Sequence, residues 1–511
     1  MVSQCRSGAL VEFMKSALEA VLLLGILAGS FRLYRANAEF PLGLHVDEAR
    51  KAQAVLDGAP EYRHPHLLFH AAELAAIATG ARSLQQVAEA GRLASALFGT
   101  GIVLASFLLF RRRLPPATSL AASALLAVTP ILAVHAHYFK EDSCFAFSTT
   151  LAVIALLNFE RDRSRRARLL LGLATGLAMA SKYAGVVLFV PYLLLPVVVP
   201  VGDRRAWYRS VAVVAFFALL VFVLSNASLF GNFGPFLAGV RNETRHAALG
   251  HDVPIWGPST LFGFHLVYSI VPGVTFSVTL AALAGVAWTA LRCIQGDVAL
   301  REIREDRIAL LLLATLYLAI EVSPTKPFPD FMRYALPLVP LLIAFAARGV
   351  EAFCARWLRR PAWSGTALIA ALGLWPAIHT HRLVAALADD TRFAAAERVR
   401  LLPGPVLVDD YSIALRSGPA PKTEPILYFS RTAEEVAQAR YVVTSSFRYE
   451  RYLFGEGLLF QSKKVRRIAA QYRRLLACPR QEIIRPRYAS FAFSNPTIRI
   501  IDLGSCLPRL P

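Results

Sequence analysis

Between Leu169 and Val201 the chain is apolar almost without interruption, broken only by Ser181-Lys182-Tyr183. As one helix this run would measure roughly 50 Å, against a hydrocarbon core of about 30 Å. The flanks decide how it folds. Arg161, Arg163, Arg165, Arg166 and Arg168 precede it, and Arg204, Arg205 and Arg209 follow it. Arginine clusters collect on the cytoplasmic side of a membrane. Both flanks therefore lie on one side, and the run turns back near Lys182 as two short helices.

The same pattern repeats along the sequence. Apolar stretches suited to membrane helices lie at Ala17–Phe31, Leu93–Phe110, Ala117–Val134, Phe145–Phe159, Val211–Phe230, Ser269–Leu291, Ile308–Val322, Tyr334–Ala347 and Trp363–Ile378. With the hairpin they predict about eleven spans, with the N-terminus cytoplasmic and the C-terminus outside. Arg6 and Lys15 ahead of the first stretch resemble a signal peptide, but the charged loop and many spans that follow make it the first membrane helix. Hydrophobic residues make up 56% and charged residues 18%, against about 45–50% and 25% in soluble domains. A soluble multidomain enzyme and a disordered chain are both excluded. The formal charge of +20 reports topology, since the dense clusters Arg111-Arg112-Arg113, Arg292 to Arg307 and Arg348 to Arg360 all fall inside. Nucleic acid is not needed to explain it. Six scattered cysteines without a CxxC make neither a disulfide framework nor a zinc site.

Two outward segments are long. The first, Arg32 to Arg92, carries amphipathic pieces such as His66–Thr79 that suit the membrane interface. The second begins near His381. Short β-like runs at Val406–Val408, Ile426–Phe429, Tyr441–Thr444 and Ile498–Ile501, with a helix-like Thr432–Arg440, predict a small α/β domain. From Asp389 onward the tail has 20 Lys and Arg against 12 Asp and Glu, a surplus suited to anionic membrane lipids. Cys478 and Cys506 share this tail; a disulfide in an oxidising compartment and two buried thiols are both open.

Few charges remain for the outward turns: Asp47-Glu48, Lys140, Asp142, Lys182, Arg333. Adjacent carboxylates after a first membrane helix suit a divalent metal or a general base; an ordinary solvated loop is the plain alternative. The first arm of the hairpin, Leu169–Ala180, rises only about 20 Å, so Lys182 sits below the outer interface. An ionised group there is costly unless paired. A lipid-linked phosphate would pair it, and snorkelling to headgroups is the alternative. Arg333 suits a bidentate phosphate contact, with Tyr334 donating a hydrogen bond, or an interfacial anchor. Asp142 precedes an apolar helix and equally suits an N-cap. His64, His66 and His70 share one helical face, so a His/Asp metal site is one reading, although no ligand geometry follows from sequence.

These residues, in this order, resemble the GT-C glycosyltransferases, membrane enzymes that take sugars from polyprenyl-phosphate carriers and include protein O-mannosyltransferases and the lipid A aminoarabinose transferase. Asp47-Glu48 resembles the family's DE pair in the first outer loop, and His64-Pro65-His66 its His-Pro segment. His135 to Asp142 sits where the family places a basic residue two before an acid. Gly176-Leu177-Ala178 with Ser181-Lys182-Tyr183 is similar to its G-x-A-x-x-x-K-Y hairpin, and Arg333 to Pro340 to its R-Y-x-L-P-x-x-P element. The chain departs from the pattern in Lys140, where Arg is frequent, and in His66 for a second Pro.

The resemblance implies a polytopic α-helical GT-C-like membrane protein: a transmembrane glycosyltransferase domain over residues 1–382 and an extracytoplasmic α/β domain over 383–511. It implies a hexosyl- or pentosyltransferase in the cell inner (plasma) membrane. The donor would be a polyprenyl-phosphate sugar, and the acceptor a lipid, glycan or protein. Asp47 would be the base that acts directly on the acceptor with inversion, and Glu48 its catalytic partner. Lys182, Arg333, Tyr334 and Lys140 would take the donor phosphate. Asp142, His64 and His66 would orient the acceptor or hold a divalent metal ion. The rival class is a transporter or flippase for a lipid-linked substrate, but repeated halves or paired broken helices are lacking.

Overall fold

A computed structural model describes residues 2–59, 61–249, 263–296, 299–322, 330–357, 363–415, 423–426, 439–454 and 463–506. Every apolar stretch named above is mainly helical, with breaks at Val128-Thr129, Asn226, Thr275 and Gly373 besides the turn at Lys182. The bundle begins with α1 (Val2–Arg35), α2 (Val46–Leu56), α3 (Leu67–Thr79) and α4 (Leu84–Phe110). It continues through α5 (Pro116–Ala127), α6 (Pro130–Ala136), α7 (Glu141–Asp162) and α8 (Arg165–Ser181), then α9 (Phe189–Val198), α10 (Arg204–Ser225) and α11 (Phe233–Leu249). Later helices span Phe276–Gln295, Leu300–Glu321, Val339–Arg356, Trp363–Leu372 and Leu374–Ala386. Six described helices are long and apolar enough to cross a membrane, or seven if α5 and α6, bent by 57°, count as one span. The chain is a multi-pass membrane protein; its other apolar helices are shorter.

The turn at Lys182 is present. α8 ends there in an extended conformation (φ −155°, ψ 136°), and a 3₁₀ stretch, Tyr183–Leu188, leads into α9. The Thr175 hydroxyl lies 2.9 Å from that of Tyr192, so the second arm runs back beside the first. Only glycine fits at 185, where a Cβ would lie 2.5 Å from the Met179 nitrogen.

At the hairpin's far end the arginine clusters meet acids. Asp306 accepts from Arg348 (2.5 and 3.0 Å) and Arg113 (3.0 Å), and Glu305 pairs with Arg112 at 3.2 Å. Arg304 bonds the Pro200 carbonyl (3.0 Å) and Arg307 that of Val198 (3.2 Å). The arginine clusters thus tie helix ends together. In the apolar layer above, helices Phe276–Gln295 and Val339–Arg356 approach backbone to backbone. Gly349 lies against Gly285, whose added Cβ would meet the Phe345 carbonyl at 1.9 Å. Small residues allow such contact where lipid supplies no hydrophobic drive.

The tail forms a five-stranded sheet in the order β2-β1-β3-β5-β4. Its strands are β1 (Val406–Asp409), β2 (Thr423–Ile426), β3 (Tyr441–Ser445), β4 (Gln481–Ile484) and β5 (Ile498–Asp502). β2, β1 and β3 are parallel, and β5 runs antiparallel to β3 and β4. Val406, Val408, Val443, Ile498 and Ile500 face helix Thr391–Arg400. Leu407, Val442 and Ile501 face helix Lys463–Leu476 through Val465, Ile468 and Tyr472. A disulfide joins Cys478 to Cys506. β4 and helix Lys463–Leu476 were not anticipated from the sequence. Thr432–Arg440 lies mostly outside the described residues, as do residues 427–429 of the run at Ile426.

Overpacking a tight contact costs about 1–3 kcal/mol. Gly285→Ala is expected to lower the thermal unfolding midpoint of the purified protein accordingly. Gly25→Ala in α1, with nothing within 4 Å of its added carbon, serves as the unchanged control.

Candidate active site

The site grows from the start of α2. His45 is its N-cap, and the His45 Nδ1 accepts the Asp47 N–H at 3.2 Å. A nitrogen that accepts must be unprotonated, and burial pushes the His45 pKa well below its ordinary value. Asp47 and Glu48 are neighbours in sequence but point about 100° apart on a helix. Their surroundings differ completely. Glu48 is 0% exposed; both its oxygens accept from Arg92, at 2.9 and 2.7 Å, and it also takes the Phe139 N–H at 2.8 Å. Arg92 in turn donates to the Ala38 and Phe40 carbonyls. This closed pair clamps the first loop onto α4.

The Asp47 side chain keeps 23% exposure. It meets the Lys140 ammonium, which also lies 3.1 Å from Glu141. Burial, the largest single influence, works against an ionised Asp47, but the neighbouring positive charges together, Lys140 foremost and Lys51 beside it, hold the carboxyl well below its usual range. Glu141 is paired with Lys51 and lies 3.3 Å from His64. Next to it, Asp142 accepts from Lys182 at 2.8 Å and faces Arg333 at 3.6 Å. Tyr334 offers its ring to both cations, 4.8 Å from the Lys182 ammonium and 5.5 Å from the Arg333 guanidinium. The result is a layer of alternating charges drawn from α2, the α6–α7 turn, the hairpin and the 3₁₀ stretch Asp330–Leu338.

Of the residues expected from sequence, Asp47, Lys140, Asp142, Lys182, Arg333, Tyr334 and His64 come together here. Glu48 lies behind Asp47. His66 stands apart: its Nε2 lies 3.1 Å from the Glu61 carbonyl, and its N–H bonds Asn226 at 3.1 Å. Lys51 and Glu141 were missed. Lys51 follows Asp47 by four residues, hence on the same helical face, and Glu141 sits inside the motif that supplied Lys140 and Asp142.

The layer is recessed. The Ser95 hydroxyl lies 3.4 Å from the Lys140 backbone, and from Ser95 to the end of α4 the helix rises about 22 Å. That agrees with the short first arm of the hairpin and is less than the roughly 30 Å core. Among the described residues no three His, Cys, Asp or Glu side chains are grouped to hold a metal ion. Asp47, Glu141 and Asp142 are each matched by ammonium or guanidinium groups, a donor set that suits an anion rather than a divalent cation.

Removing one partner of a buried ion pair costs about 3–5 kcal/mol, because the other charge stays buried. Glu48→Gln is therefore expected to lower the thermal midpoint sharply by leaving Arg92 uncompensated. Glu39→Gln, at an exposed position, should leave it in place.

Residues 71–228 match the family model of the dolichyl-phosphate-mannose-protein mannosyltransferases. No curated protein matches the sequence. Among solved structures, the chain is similar to ArnT from Cupriavidus metallidurans bound to undecaprenyl phosphate. Identity is 14%, the match covers 96% of this chain and 98% of that one, and the TM-score is 0.55. It is also similar to the Archaeoglobus fulgidus oligosaccharyltransferase tethered to an acceptor peptide, at 14% identity, 90% and 72% coverage and a TM-score of 0.56. The same oligosaccharyltransferase in complex with Zn and sulfate matches at 14% identity, 91% and 78% coverage and a TM-score of 0.53. The fold of this chain is that of the GT-C superfamily of membrane glycosyltransferases.

Proposed function

We propose that this protein is an inverting membrane glycosyltransferase that moves one sugar from a polyprenyl-phosphate-linked donor to a hydroxyl-bearing lipid, glycan or protein acceptor. The observation that carries the reading is the recessed charge layer. One partly exposed carboxylate, Asp47, stands beside Lys140, with Lys182 and Arg333 gathered on Asp142. A lipid-linked phosphate entering from the bilayer brings negative charge to a level where free ions are costly. Three cations already fixed there by their carboxylates are suited to receive it. The GT-C fold and the polyprenyl-phosphate complex of ArnT support the same donor class.

In the reaction the acceptor oxygen bonds to the anomeric carbon as the bond from that carbon to the phosphate oxygen breaks. The acceptor proton passes to Asp47, and the electron pair leaves with the phosphate. Acceptor and leaving group occupy opposite faces of the sugar, so the centre inverts without a covalent intermediate. Lys182 and Arg333 stabilise the departing phosphate through charge-assisted contacts. Lys140 links the two halves. Paired with Asp47, it keeps the carboxylate a weak base; drawn toward an arriving phosphate, it releases Asp47 to take the proton. Glu48, fully engaged by Arg92, holds the loop that carries Asp47. A divalent ion is not required in this scheme.

The arginine clusters at the far end of the bundle belong in the cytoplasm, which puts the reaction on the extracytoplasmic face of the plasma (inner) membrane. Residues 1–382 form the membrane domain, and 383–511 the domain that covers its outer side.

The test is transfer of labelled sugar by purified protein in lipid vesicles carrying the donor. Loss of a positioned general base typically costs 10²–10⁴-fold, so Asp47→Asn should reduce transfer by about that factor. Lys182→Ala should raise the donor KM. Translocation of the lipid-linked sugar without transfer would instead favour a flippase. Lys140→Met removes the charge that holds the Asp47 pKa down and leaves the burial that raises it. The acidic limb of the kcat/KM profile should then move to higher pH, whatever the change in absolute rate.

A further inference from the structure

The α/β domain reaches the charge layer through Phe493. Its segment Phe491–Asn495 forms a tight turn, with Phe491 and Ser494 exchanging both backbone hydrogen bonds (3.2 and 3.0 Å). Two non-glycine residues in it, Ala492 (φ 49°) and Asn495 (φ 54°), adopt the left-handed conformation. Such backbone is costly and persists only where its surroundings enforce it. Here they do. The Asn495 N–H donates to Asp390 (2.7 Å) and its side-chain amide to the Ala386 carbonyl (2.9 Å). Arg392, fully buried and held bidentately by Asp390, donates to the Phe493 carbonyl (2.7 Å) and also to the Leu44 carbonyl (2.7 Å). One guanidinium therefore joins the turn to the residue just ahead of His45.

The turn delivers the ring of Phe493. It lies against the His45 imidazole, centroids 4.3 Å apart, and 5.3 Å from the Arg333 guanidinium. His45 also packs against Tyr138, with centroids 5.3 Å apart. The ring thus touches both the cap that orients Asp47 and a cation assigned to the donor phosphate. It contributes no polar atom to either.

We propose that Phe493 is a positioning residue, through which the docked α/β domain fixes the separation of the Asp47-bearing turn from Arg333 and so makes the membrane site competent for transfer. This rests on the function proposed above. The aromatic face holds the guanidinium by cation–π attraction, and the imidazole by ring packing. Removing it leaves Asp47 and Arg333 present but loosely placed, and small misplacements of reacting groups cost up to about 100-fold.

The test uses the full-length protein in donor-containing vesicles and compares Phe493→Ala, Phe493→Leu and Phe493→Tyr. Leucine keeps most of the apolar volume but lacks the aromatic face, so it decides the matter if alanine fails to fold. The expected result is a kcat lowered roughly 10- to 100-fold with a raised donor KM in the leucine variant, and recovery of both in the tyrosine variant. Combined with Arg333→Gln, the leucine change should add less than its separate effect on donor KM, because both act on one contact. An Phe493→Leu protein with a lower thermal midpoint but unchanged kcat and donor KM would overturn the proposal. If the unaltered protein fails to transfer sugar from the donor, the functional reading fails instead.

Discussion

Ionised side chains below the membrane surface are tolerable only in opposite-charge company, and that constraint organises the upper half of this molecule. Isolated, each would cost several kcal/mol. Together, Asp47 with Lys140, Glu141 with Lys51, and Asp142 with Lys182 and Arg333 form a layer in which every described charge has a counterpart. The helices must deliver these groups to one level. The hairpin stops short to place Lys182, the α6–α7 turn dips to place three consecutive charged residues, and α2 folds inward to bring Asp47. Such a layer has a functional corollary: an anion arriving from the bilayer finds cations already desolvated and held.

The two ends of the bundle treat arginine differently. At the far end Arg113 and Arg348 converge on Asp306, where they join helices. At the near end Arg92 and Arg392 act as internal fasteners. Arg92 locks the first loop to α4 through Glu48, and Arg392 locks the α/β domain to that same loop through the Leu44 carbonyl. The turn that carries Asp47 is therefore gripped on one side by α4 and on the other by the tail. The α/β domain is part of the site's framework rather than an appendage.

Much of this was legible in the sequence where length and charge act locally. Every apolar stretch is mainly helical, and the turn at Lys182 follows from a run too long for one crossing between two arginine clusters. Three of the strands match their β-like runs because short, near-continuous runs rich in valine and isoleucine mark a buried sheet. What sequence left hidden depends on distant partners. Nothing local separates Asp47 from Glu48; the distinction comes from Arg92, 44 positions away. His66 shares a motif with His64, but its backbone N–H donates to Asn226, just past the end of α10, and its ring lies at the Glu61 carbonyl. β4 was missed because Gln481-Glu482-Ile483-Ile484 is a half-polar edge strand whose identity comes from pairing with β5. Helix Lys463–Leu476 carried a readable signal, apolar residues at 465, 468, 469, 472 and 475 within a basic stretch.

The proposed mechanism is direct displacement at the anomeric carbon, with Asp47 as the base for the acceptor. The most direct measurement is the anomeric configuration of the transferred sugar. It is read by NMR on product made in vesicles from a donor of known configuration. Direct displacement predicts complete inversion. A product that retains the donor's configuration would contradict the mechanism.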